Sequence, residues 1–248
     1  MNILVCISQV PDTTTKISVG PDGTTINSTG VKYILNPYDE FAIETGLRMK
    51  GQHGGTVTTI TIGPETAKEV LRTALAMGSD TAVLVKDPSR SDSFVVASSI
   101  AEYAQESKPD LIVFGRQSID FDSFQIPPMV AEMLGWPDIA TVSSLNIDGT
   151  DVTAESDVEG GKLQMSASLP CVISAQKGLY DPRYPKLPDI MKAKSKPIEE
   201  RALSTVSPRT AITAMSLPES KRLNTIVGDS DADINEIVRL LHEQAKVI

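Results

Sequence analysis

The stretch I-L-V-C-I at residues 3–7 is a short, unbroken apolar run of the kind that fills a parallel strand buried on both faces. The pattern returns at Val57 to Ile62, Thr81 to Val85 and Leu111 to Phe114. Between these runs apolar residues recur at helical spacing: Phe41, Ile43, Leu47 and Met49, then Val70, Leu71, Leu75 and Met77, then Val95, Val96, Ile100 and Tyr103. Strand and helix alternate, which predicts an α/β fold, a mostly parallel sheet with helices on both faces. Sheets of this kind bind ligands in the crevice beyond the carboxyl ends of their strands.

From Ile139 the texture changes to short alternating runs separated by Asp148-Gly149 and Gly160-Gly161. Such dipeptides favour tight hairpins, because glycine accepts positive φ at little cost. An antiparallel excursion that rejoins the sheet at Cys171 to Ser174 is expected. From Lys192 to Asn224 there is little periodicity, the mark of an extended C-terminal arm that is disordered or laid on a partner. Ile234, Ile237, Val238, Leu241 and Ala245 then mark a last amphipathic helix, with Asp231 or Asp233 as its cap. The chain is expected to divide into a nucleotide-binding body at 1–191 and an arm with its helix at 192–248.

Composition excludes several classes. Apolar residues make up 40% and charged residues 22% of the 248, which is ordinary globular usage. The net charge of -9 argues against nonspecific binding to nucleic acid, which needs an excess of Lys and Arg. No apolar run approaches a membrane span, and Met1 leads straight into a strand without a charged leader, so a cytoplasmic protein is expected. Cys6 and Cys171 both sit in apolar strand-like runs and read as buried free thiols.

His53 and His242 lie far apart in polar contexts, and no nucleophile elbow, Walker loop or zinc signature occurs. The residues offer no bond-making apparatus. Instead, polar residues and turn formers follow the strands: Ser8 and V-P-D-T at 10–13, Gly63-Pro64, and G-R-Q-S-I-D-F-D-S-F-Q-I-P-P at 115–128. Asp122 and Ser123 are N-cap types, so a helix opening there and running through Met133 would offer its amides to an anion. An ordinary capped helix would look the same.

Six segments, in order along nearly the whole chain, resemble the beta subunits of electron-transfer flavoproteins. They are V-C-I-S-Q-V-P-D-T (5–13), N-P-Y-D-E-F-A-I-E (36–44), T-I-G-P (61–64), L-R-T-A-L-A-M-G-S-D (71–80), G-R-Q-S-I-D (115–120) and D-P-R-Y-P-K-L-P-D-I-M-K-A-K (181–194). The resemblance implies an adenine-nucleotide alpha-hydrolase-like sheet in a non-catalytic electron carrier. Such a carrier takes electrons from flavoprotein dehydrogenases, such as the acyl-CoA dehydrogenases of fatty acid oxidation, and passes them to a quinone reductase or another acceptor. It further implies an alpha-subunit partner holding most of one FAD, and a second nucleotide, AMP or in electron-bifurcating members a second FAD, in this chain.

Carried over by position, the second-nucleotide pocket is lined by Cys6, Ser8, Asn36, Pro37, Tyr38, Asp39, Ile62, Gly115, Arg116, Gln117, Asp120, Asp122, Ser123, Phe124, Gln125 and Ile126. The dehydrogenase-recognition loop maps to Pro182, Arg183, Tyr184, Pro185, Leu187 and Pro188, with Leu187 as the apolar anchor at its tip. At 120–128 the chain reads D-F-D-S-F-Q-I-P-P, which matches neither family pattern, D-G-D-T-x-Q-V-G-P of bifurcating members or D-D-D-C-N-Q-T-G-Q of AMP binders. Asp120, Asp122 and Gln125 agree with both; Pro128, with V-P-D-T and N-P-Y, agrees with the bifurcating one. Pro127 stands where both have glycine and lacks an N–H, and Phe121 adds bulk. A flavin diphosphate needs more amides and space than one phosphate, so these residues favour AMP. The rival from another class is a stand-alone ATP-binding module, which would need a glycine-rich phosphate loop and no trailing arm.

Overall fold

The computed structural model of the chain describes residues 1–218 and 225–248. The part of the expected arm at 219–224 lies outside the described residues. The chain opens with β1 (Asn2–Cys6), a small ribbon of β2 (Gln9–Pro11) and β3 (Tyr33–Leu35), and α1 (Pro37–His53). There follow β4 (Thr56–Gly63), α2 (Lys68–Met77), β5 (Thr81–Lys86), α3 (Ser93–Ser107), β6 (Leu111–Gly115) and α4 (Ile126–Leu134). The hairpin strands are β7 (Asp138–Asp148), β8 (Asp151–Val158) and β9 (Gly161–Ser168). The chain returns in β10 (Cys171–Ala175) and continues through α5 (Leu187–Ser195), β11 (Glu199–Ala202) and α6 (Asp231–Arg239).

Among the described residues, nine strands form the main sheet in the order β11-β5-β4-β1-β6-β10-β7-β8-β9. Every pairing from β11 to β7 is parallel, and β8 and β9 are added antiparallel. The alternation of side chains along β1 explains its unbroken apolar run. Ile3 and Val5 face a core built with Ile43, Leu47, Leu71 and Leu75 of α1 and α2, while Leu4 and Cys6 face one built with Ile100 of α3 and Val130 of α4. Each fully buried aliphatic side chain contributes about 1.5–3 kcal/mol, and both faces of the strand contribute. Gly149 and Gly160 have φ of 60° and 84° and close the two hairpins, as the dipeptides predict.

Four expectations are corrected. The helix after β6 does not open at Asp122 and Ser123: Asp122 and Phe124 have φ of 51° and 55°, and α4 starts at Ile126. Pro127 and Pro128 suit the first turn of a helix, whose amides have no intrahelical acceptor, and they set the start. The last helix is capped by Ser230, not Asp231; Asp233 closes a capping box by accepting from the Ser230 amide at 3.1 Å. Leu187 does not sit in an extended loop but opens α5. The boundary at 191/192 falls inside α5, and beyond it β11 joins the sheet beside β5.

The first part of the arm is therefore laid on its own chain. Ser204 is buried, with its amide donating to Ser99 Oγ at 3.1 Å and its hydroxyl to Glu102 at 2.6 Å. The amides of Arg209 and Thr210 donate to Asp92 Oδ2 at 2.7 and 2.8 Å, while Asp92 Oδ1 caps α3 through the Val95 amide. The Met215 amide then reaches Gly23 O at 2.7 Å. Beyond residue 224, α6 buries none of its residues: Ile234, Ile237 and Val238 are exposed, as is Leu241 just after the helix.

Candidate functional site

β1 is followed by the ribbon, α1 and then β4 on one side of it, whereas β5 crosses over through α3 to β6 on the other side. The connections diverge at the carboxyl ends of β1 and β6, the switch point at which sheets of this kind open a crevice for ligands. A polar network closes its floor. Ser8 donates to Asp39 Oδ2 from its amide at 2.7 Å and from its hydroxyl at 2.8 Å. Asn36 Nδ2 donates to Asp39 Oδ1 at 2.9 Å and to the Gln117 carbonyl at 2.8 Å, and Asn36 Oδ1 accepts from the Ile119 amide at 3.3 Å. The side chain of Asn36, the N-cap residue of α1, thus ties the helix to the loop after β6 instead of capping it, Asp39 ties the helix to the end of β1 through Ser8, and Pro37 begins the helix.

Asp39 is buried. Burial pushes its carboxyl up to about 7, against the donors from Asn36, Ser8 and the Gly115 amide, which favour the ionised form. Cys6 is buried beside it, and burial first, then the Asp39 charge, holds its thiol well above the usual range. Pro37 and Tyr38 are half-buried in the first turn of α1. Ile62 packs against the core on the α3 and α4 side, the side that Cys6 also faces.

The loop after β6 supplies the open side. Arg116 lies half-buried with its guanidinium 5.3 Å from the centre of the Phe124 ring, and its Nε and the Gln117 Oε1 are buried without a hydrogen-bond partner. Gln117 Nε2 bonds to Asp122. Asp120, Phe121, Phe124 and Gln125 are exposed, and Ser123 and Ile126 are half-buried. No hydrogen bond of the described residues engages the amides of Ser123, Phe124 or Gln125. A cation with an orphaned Nε donor, a hydroxyl and unpaired amides on one loop are donors that suit an anionic group, and the orphaned Gln117 Oε1 adds an acceptor, a mixture that fits a hydrogen-bonding ligand such as a nucleotide.

A second feature lies on the α1 and α2 side. Tyr184 is 90% exposed and Leu187 73%, and Ile190 and Met191 continue this apolar surface along α5. Pro182, Pro185 and Pro188 stiffen the approach. Arg183 does not point outward with them: its guanidinium grips Glu44 on α1, Nε at 2.6 Å and Nη2 at 3.0 Å. Sequence reasoning missed Glu44. The available signal was a carboxylate set directly beside Ile43 among the apolar positions of α1. His53 is exposed in the last turn of α1 and His242 is exposed beyond α6, and among the described residues no cluster could hold a metal ion. No helix among them is long and apolar enough to cross a membrane.

Comparison with known proteins bears on the whole chain. A family model described as the electron transfer flavoprotein domain matches residues 23–206. Among curated relatives, the electron transfer flavoprotein subunit beta of Bacillus subtilis is 40% identical, with all of both chains covered. The protein of the same description from Bradyrhizobium diazoefficiens is 35% identical over all of both chains, and that of Homo sapiens 37% identical over 80% of each. With the sheet, the strand-end crevice and similarity over the full length in agreement, the chain belongs to the electron transfer flavoprotein family, among its beta subunits.

Proposed function

We propose that this chain is the non-catalytic beta subunit of a heterodimeric, cytoplasmic electron carrier, and that it holds a structural AMP in the crevice at the ends of β1 and β6. One FAD, held chiefly by the alpha subunit, supplies the redox chemistry of the dimer. The residues of this chain bind the second nucleotide, and the exposed apolar segment that carries Tyr184, Leu187, Ile190 and Met191 docks flavoprotein dehydrogenases. Electrons come from flavoprotein dehydrogenases such as acyl-CoA dehydrogenases and leave to a quinone reductase or another acceptor. Two buried, unpaired thiols suit a reducing compartment. Ile234, Ile237 and Val238 of α6, with Leu241 just beyond it, form an apolar stripe that needs a surface to cover it, and an alpha subunit supplies one.

The observation that carries the choice of nucleotide is the start of α4. Ile126 is its first residue, and Pro127 and Pro128 follow, so two of the amides that a helix N-terminus normally offers a phosphate do not exist. The unpaired amides of Ser123 to Gln125 and the Ser123 hydroxyl serve one phosphate. Asp120 accepts from the Phe121 amide at 3.0 Å and Asp122 from Gln117 Nε2, so both carboxylates have partners other than the phosphate, which they would repel. A second FAD, whose diphosphate asks for more donors, is the alternative. Purified dimer should release one FAD and one AMP on denaturation, and Ser123→Ala with Gln125→Ala should lower AMP content more than flavin absorbance. Release of two FAD and no AMP would replace this reading with the bifurcating one.

A further inference from the structure

Glu44 is 1% exposed, on the face of α1 turned toward the segment that follows β10. A carboxylate stripped of water at that depth is costly unless it is paired and hydrogen-bonded. Arg48, one turn on, satisfies only Oε1, at 2.8 Å. The remaining capacity is filled by one residue 139 positions away: Arg183 donates Nη2 to Oε1 and Nε to Oε2, and its backbone amide adds a third contact to Oε2 at 3.3 Å. This is a fork-on-fork pair closed by a main-chain bond, so it fixes the chain at Arg183 as well as its side chain. Arg48 also covers the ring of Tyr180, 5.5 Å from its centre, which seats the approach to the loop.

The far end of the same segment is held independently. Ala193 is buried on α2, and Arg72 of α2 donates to the carbonyl of Ala193 at 2.7 Å and to that of Lys196. Between these anchors, Tyr184, Leu187, Ile190 and Met191 stand in solvent. An exposed apolar segment with nothing beneath it would collapse or wander; here a buried charge and a capped helix end hold it out.

We propose that Glu44 is a positioning residue for partner docking: through Arg183 it pre-orders residues 181–191, so that the apolar surface meets a dehydrogenase already in its bound shape. The proposal rests on the docking role given to this segment above. Pre-ordering moves the entropy of docking into folding, so loss of the anchor lowers the fraction of docking-competent segment and raises the apparent dissociation constant in proportion.

The test uses the dimer made with its alpha subunit, a purified acyl-CoA dehydrogenase as electron donor, and three variants, Arg183→Ala, Arg183→Lys and Leu187→Ala. Because Arg183 is partly exposed, its removal takes no side chain from the core and opens Glu44 Oε2 to water while Arg48 still holds Oε1, whereas Glu44→Gln alters a buried side chain. Arg183→Ala should speed deuterium uptake across 181–191 by about tenfold with α1 and α2 unchanged, and raise the KM for the dimer by about tenfold with kcat held. Arg183→Lys, which keeps the charge without the fork, should fall between. Unchanged uptake in 181–191 overturns the proposal. So does faster uptake with an unmoved KM, when Leu187→Ala does raise KM. If Leu187→Ala leaves KM unchanged, the docking reading itself has failed and the inference falls with it, and that variant alone reports this.

Discussion

Asp39 occupies the space that a side chain at position 115 would need: a Cβ on Gly115 would collide with Asp39 Oδ1 and lie 2.8 Å from the Asp39 backbone nitrogen. The end of β6 and the first turn of α1 are in contact because residue 115 has no side chain, and the crevice floor depends on that contact. The carboxylate could rotate away, but the helix backbone cannot without moving α1. Gly115→Ala should therefore destabilise the protein by about 1–3 kcal/mol, the usual range for forced overpacking. It should also cut retained nucleotide, which urea midpoints and nucleotide content on the same preparation will show.

The pH dependence follows from the same carboxyl. Unfolded, Asp39 loses its proton near pH 4, at about the ordinary aspartate value; folded, burial holds the proton to about pH 7. Between those values the native state binds the proton that the unfolded chain releases, so this group makes stability fall as pH rises from 4 to 7 and leaves it level above. Asp39→Asn, neutral throughout, should flatten that decline. Urea midpoints at pH 5 and pH 8 should lie closer together in the variant than in the parent, and an unchanged gap would remove Asp39 as its source.

Asp92 joins two elements with one carboxylate, capping α3 through Oδ1 and accepting from Arg209, Thr210 N and the Thr210 hydroxyl through Oδ2. Loss of an N-cap costs about 0.5–2 kcal/mol. Asp92→Ala should show that loss and, in addition, faster deuterium exchange across 204–215, where the arm leaves the α3 surface. Glu102 and Ser99 still hold the arm at Ser204 and the Gly23 carbonyl still accepts from the Met215 amide, so exchange should rise most at Arg209 and Thr210 between them.

Ile237 is exposed on a helix that buries nothing in this chain. Ile237→Asp should leave the stability of the isolated body within about 0.5 kcal/mol of the parent, as for surface sites generally. If α6 is an interface helix, the same change should cost about 2 kcal/mol or more of association with the alpha subunit. Chemical denaturation of the single chain and recovery of the co-expressed dimer separate the two effects.

The sequence by itself determined whatever is local. Buried strands appear as I-L-V-C-I and its repeats, because a strand covered on both faces has no polar side to interrupt the run. The hairpins at Gly149 and Gly160 appear because a two-residue turn needs positive φ. Ordered family segments added the beta-subunit reading. Tertiary structure alone decided the pairings that lie far apart in the chain: Asn36 with Gln117 across 81 residues, Asp92 with Thr210 across 118, Glu44 with Arg183 across 139. It also decided that Arg183 faces inward, that Leu187 begins a helix, and that Ser230 caps α6 in place of the neighbouring aspartates. Hydrophobic periodicity records which side of an element is buried, but a buried charge takes whichever partner the topology brings within about 3 Å, and no local pattern encodes that meeting.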